Sequence, residues 1–142
     1  MISSTYDKLK IYTKSLSRNK IIIHRDPIHD LFTINVGKEL AILFEKLLGD
    51  RNISFKAKQE MADLFKSAIY EHSEFGKILS LSNLGILFEP ELKIDFNYVL
   101  DKYSTENRLF IQWEGEIENN HLYFLSKEGI KINIENLSHI II

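Results

Sequence analysis

Apolar positions along this chain switch repeatedly between helical and strand spacing. Tyr6, Leu9, Tyr12 or Thr13, and Leu16 recur one helical turn apart and predict a helix over residues 5–17, with Ser3, Ser4 and Thr5 as candidate N-caps. The β-branched run Ile21, Ile22, Ile23 predicts a short buried strand, which Pro27 prevents from continuing. After a loop over residues 24–30, residues 31–36 predict a second short strand. Gly37 then opens a helix with Leu40, Leu43, Phe44, Leu47 and Leu48 on one face, closed by Gly49. Met61, Leu64, Phe65, Ala68, Ile69 and His72 predict a helix over residues 55–72, with Ser54 as its N-cap.

The second half reads differently. Residues 77–83 predict a strand, and the apolar segment 84–88 runs on until Pro90 breaks it. Phe96, Val99, Leu100 and Tyr103 predict a short helix capped by Asp95, and residues 109–113 another strand. Two strands around 122–125 and 130–134, joined through Lys127, Glu128 and Gly129, predict a hairpin, and an apolar run, Ile140, Ile141 and Ile142, follows. Strands alternating with helices imply an α/β fold: a small, mostly parallel sheet flanked by helices, with an antiparallel C-terminal hairpin. No repeat or linker divides residues 1–142, so a single domain is expected, and 142 residues with 44% hydrophobic content can bury a core.

Composition narrows the chemistry. The absence of cysteine excludes disulfides and thiolate chemistry and suits a reducing cytoplasm, the expected location. Residues 1–7 have neither a basic n-region nor an apolar h-region, and no apolar run approaches the roughly 20 residues of a bilayer span, so neither export nor a membrane partner is expected. A formal net charge of -2 supplies no global attraction for phosphates. The most basic stretch, with Lys14, Arg18 and Lys20, is the candidate nucleic-acid contact, although lysines on an amphipathic helix are commonly just solvated.

Two polar clusters could carry chemistry. His24, Asp26 and His29 lie in one loop with Asp30 and would ligate a metal if they converged; otherwise the aspartates are ordinary turn residues. Glu114, Glu116 and Glu118 alternate after a strand, which puts all three on one side of an extended segment. Together the clusters define a candidate metal site of His24, Asp26, His29, Glu114 and Glu116, but the nearest lysine that a metal-dependent nuclease would want, Lys127, is distant in sequence. No serine sits in a nucleophile elbow, and the glycines form neither a dinucleotide fingerprint nor a phosphate-binding loop. No cofactor is expected.

Residues 83–95 (NLGILFEPELKID), the stretch 109–117 with Trp113, Glu114, Gly115 and Glu116, and the segment from Thr33 to Gly37 with its following helix carry a resemblance. They resemble BrxF, the small P-loop ATPase component of type 3 BREX phage-defence systems, over about 110 residues. The resemblance implies an AAA-like nucleotide-binding core working beside DNA-modifying partners. The departures are specific. In that family the first strand runs into a glycine-rich loop ending in Lys and Ser or Thr, whereas Ile21, Ile22, Ile23 run into His24, Arg25, Asp26, Pro27. The later strand should deliver an Asp for Mg²⁺ and then a Glu to polarise water, and this chain has Ser82 and Gly85 there. These are degenerate Walker B positions.

The sequence therefore leads to a non-catalytic assembly or regulatory subunit of a bacterial anti-phage or DNA-handling complex, with protein partners and nucleic acid reached indirectly. The alternative is a small metal-dependent nuclease or phosphoesterase built on the 24–30 loop. Ile140, Ile141 and Ile142 are the candidate interface, since an apolar chain end needs cover from its own or a partner's strand.

Overall fold

A computed structural model describes residues 4–142. Its elements follow the predicted alternation: α1 (Ser4–Thr13), β1 (Ile21–His24), β2 (Ile34–Asn35), α2 (Val36–Leu47), α3 (Ile53–Ala68), β3 (Tyr70–His72), β4 (Gly76–Ser82), two single 3₁₀ turns (Gly85–Phe88, Pro90–Leu92), α4 (Phe96–Thr105), β5 (Arg108–Gln112), β6 (Ile117–Glu118), β7 (His121–Phe124), β8 (Ile130–Asn133) and β9 (His139–Ile141). The candidate cap Ser3 lies outside the described residues.

Five strands form a parallel sheet in the order β2-β4-β5-β1-β9, and β3 adds antiparallel to β4. The strands alternate their side chains between two apolar layers, as the period of two requires. Ile21, Ile23, Leu79, Leu81, Leu109 and Ile111 face the layer filled by α2, α3 and α4. Ile22, Ile78 and Phe110 face Leu9 of α1 and Phe75. Burial on both faces explains why β1 reads as an unbroken isoleucine run rather than an alternation.

The hairpin forms as predicted, but as part of a separate three-stranded antiparallel sheet, β6-β7-β8, and not as an extension of the parallel one. Leu122, Ile132 and Ile134 join it to the main core. The chain then returns, and β9 pairs in parallel with β1, Ile140 opposite Ile22. Ile140 and Ile142 are thereby partly covered against the α1 layer, while Ile141 stays 41% exposed on the edge strand.

Several boundaries move for local reasons. α1 ends at Thr13, four residues early, and Leu16 is exposed. The strand predicted over 31–36 shrinks to two residues because Asn35 already caps α2, its side-chain oxygen accepting from the Lys38 N–H at 2.9 Å. The cap of α3 is Asn52 and not Ser54, whose hydroxyl instead donates to the Leu92 carbonyl at 2.7 Å. α3 stops at Ala68, and residues 70–72 become β3, a strand the helical spacing of Ile69 and His72 concealed. Nδ1 of His72 accepts from the backbone N–H groups of Glu74 and Phe75 and so closes the tight turn into β4. Among the described residues no helix is long and apolar enough to cross a membrane.

Candidate functional site

In open α/β sheets, ligands sit at the carboxyl ends of the parallel strands. Here that edge is formed where β1, β4 and β5 end, and it holds a cleft of about 240 Å³. Asn83 and Gly85 follow β4, Gln112 and Trp113 close β5, and Phe124 of the small sheet forms the opposite wall.

Two glycines bring the walls together. A Cβ on Gly85 would come 2.6 Å from the Phe124 ring, and one on Gly115 would strike the Tyr123 carbonyl oxygen and sit 2.9 Å from Trp113 Nε1. Trp113 is 3% exposed, and its indole Nε1 is buried without a hydrogen-bond partner. Buried donors are nearly always paired, so this one is a polar atom held unused in the wall of the cleft. Phe88 bridges the two sheets, with its ring 6.1 Å from Trp113 and 5.0 Å from Phe124.

The first predicted cluster does not converge. His24 is 2% exposed on the sheet, and its Nδ1 lies 2.8 Å from the Asp26 carbonyl, which can only accept, so the proton sits on Nδ1 and Nε2 is a bare, buried acceptor with no partner. Asp26 and His29 are exposed. Glu114 lines the cleft, whereas Glu116 turns with Glu118 toward Lys127, the lysine that seemed remote in sequence. That pairing, Glu118 above all, raises the Lys127 pKa. Among the described residues no three His, Asp or Glu side chains come close enough to hold a metal ion.

Ser82 ends β4 and Gly85 opens the 3₁₀ turn that follows it, and neither presents a group to a ligand. The Ser82 hydroxyl donates to the Ile34 carbonyl at 3.1 Å, which ties β4 to β2, and Gly85 is roofed by Phe124. The basic stretch is likewise committed to structure. Arg18 pairs with Asp101, whose carboxyl it holds below the usual range, Lys20 donates to the Ser17 carbonyl, and Lys14 is exposed, with no side-chain bond among the described residues. No family model, curated protein or solved structure matches the chain.

Burial holds the His24 imidazole below its ordinary pKa, against a smaller opposing pull from its bond to the Asp26 carbonyl. The unfolded chain takes up this proton near pH 6.5, the folded chain only at lower pH. Between those values the unfolded state binds more protons, so the stability held above about pH 6.5 is lost as the pH falls toward the folded value. Urea unfolding at acid and neutral pH should show His24→Leu losing less stability on acidification than the unsubstituted chain. Identical pH dependence in the two would mean that His24 titrates normally.

Proposed function

We infer that this chain is a non-catalytic assembly or regulatory subunit with a P-loop-NTPase-like core, of the DNA-handling kind its resemblance implies. Strand order supports the reading. Numbered in chain order, the five parallel strands β1, β2, β4, β5 and β9 lie in the order 5-1-4-3-2, so the first strand is central, between the fourth and the fifth, and a loop after it would open at the carboxyl edge of the sheet, where a nucleotide-binding core needs it. In such a core the phosphates and Mg²⁺ are held at the ends of the first and third strands.

The observation that carries the reading is what occupies those two ends. His24, ending the first, is buried with its imidazole on the Asp26 carbonyl, and Ser82, ending the third, donates to the Ile34 carbonyl. Both side chains serve the protein's own backbone. The nine residues from Arg25 to Thr33 that follow the first strand contain no glycine or lysine, and they form a loop where a P-loop would continue into a helix. A fold alone does not bring catalysis with it.

Purified chain incubated with Mg·ATP should release no phosphate above the buffer rate, and ATP should leave its thermal unfolding midpoint unshifted. Turnover that disappears on Ser82→Ala would contradict the reading, because that hydroxyl would then be acting on nucleotide.

A further inference from the structure

The lysines that seemed unremarkable in the sequence come together on the helical face. Between α3 and α4 lies a groove of about 270 Å³, rimmed by Lys58, Lys93 and Lys102 and floored by Met61 and Val99. Tyr98, 58% exposed, presents its ring at the rim, and the Lys102 ammonium lies 5.6 Å from the Tyr103 ring centre. Among the described residues the ion pairs join Arg18 to Asp101, Lys56 to Asp50, and Lys127 to Glu116 and Glu118. None of the three groove lysines is thereby neutralised, among the described residues. The lone carboxylate lining the groove, Asp95, is occupied in capping α4, where it accepts from the Tyr98 N–H at 3.2 Å. In a chain of net charge -2, this is a local reversal of sign set around an aromatic and apolar floor.

We propose that this groove binds single-stranded nucleic acid, with a base stacked on Tyr98 and the backbone phosphates drawn by Lys58, Lys93 and Lys102. The pairing of a cationic rim with an exposed aromatic face is what unpaired strands require, since a base must leave its stack to reach the ring. A strand is favoured over a free nucleotide because the surface continues. Lys93, Ile94 and Asp95 are shared with an adjoining cavity of about 280 Å³ that runs past Glu89 toward Asn97 and Ile130, so the strand would continue there on Phe88, Phe96 and Ile130 with its phosphates on the Lys93 side. The proposal does not depend on the subunit reading above.

Fluorescence anisotropy with a short labelled oligothymidylate tests it. The unsubstituted chain should bind, and more weakly as salt rises from about 50 to 200 mM. Lys58→Glu with Lys102→Glu should lower affinity at least about tenfold, and Tyr98→Ala by about tenfold, since one stacked base contributes about 1–3 kcal/mol. The same charge change at two other exposed lysines, Lys14→Glu with Lys46→Glu, should leave affinity within about twofold, a smaller change than one phosphate contact produces. All these side chains are exposed, so the variants fold, which circular dichroism checks. Failure of the unsubstituted chain to bind, equal loss in the Lys14/Lys46 control, or displacement by adenosine monophosphate at the oligonucleotide's own nucleotide concentration would overturn the proposal.

Discussion

Replacing Phe110 by alanine should lower stability by about 3–5 kcal/mol, a large share of the roughly 5–15 kcal/mol a domain commonly has. Phe110 sits at the middle of β5, flanked in register by Ile22 on β1 and Ser80 on β4, and it is completely buried. Its ring lies 5.8 Å from Phe75 and 6.3 Å from the His24 ring, so it is the piece that joins the sheet to the α1 layer. The layer is small, with Leu9, Ile22, Phe75 and Ile78 as its other buried members, and it has little to collapse into the space a phenyl ring leaves. Urea unfolding followed by circular dichroism should show a midpoint lowered by more than about 1 M at unchanged slope. Phe32→Ala, at a ring 62% exposed and edge-on to Tyr70, should change stability by no more than about 0.5 kcal/mol. Equal effects at the two positions would mean that the α1 layer is not a packed core.

The second large effect belongs to Gly115→Ala. Gly115 lies where the chain leaves the parallel sheet for the antiparallel one, directly after Trp113 and Glu114, and the added methyl would meet the Tyr123 carbonyl. Neither neighbour can yield cheaply. Tyr123 belongs to β7, held by its N–H to the Glu116 carbonyl at 2.9 Å, and Trp113 is wedged against Phe88. The small sheet must therefore shift away from the end of β5, with an overpacking cost of about 1–3 kcal/mol or more. Phe124 would lift from Gly85 and the cleft would open. Trp113 is the chain's single tryptophan, so its emission reports on this place alone, and it should move to the red in Gly115→Ala while the far-ultraviolet dichroism is retained. An unshifted emission with full stability would contradict the close packing of the two sheets.

Much of the fold was legible because its strands are buried on both faces. Ile21, Ile22, Ile23 and residues 109–111 are apolar without a break, and their β-branched and aromatic content suits a strand buried on both faces. Asn35 and Asp95 behave as caps in the structure, and Asp95 was readable as one. β3 was hidden because His72 falls at a helical interval from Ala68 and Ile69, and what ends the helix is a turn sealed by the His72 ring itself, a contact no spacing reveals. The cleft was beyond reach for the same reason. Its walls come from residues 83–85, 112–115 and 124–125, and only the docking of the small sheet brings the third group to the first two.

Charge was the least legible feature. The continuous basic stretch attracted attention, yet Arg18 spends its guanidinium on Asp101, while Lys58, Lys93 and Lys102, separated by 35 and 9 positions, meet in one groove. Glu116 and Glu118 looked like unpartnered carboxylates until the turn after β7 brought Lys127 beside them. Side chains that meet through long-range folding leave no periodic trace in a single sequence.

In the subunit proposed above, the ends of β1 and β4 are committed to the protein's own backbone, and the chain works through other polypeptides without hydrolysing nucleotide. The most direct test is to purify the tagged chain from the cells that encode it and weigh the intact assembly by native mass spectrometry. The account predicts a complex of defined stoichiometry containing other polypeptides, with no nucleotide mass on this chain after it is released. A monomer that carries bound nucleotide would contradict it.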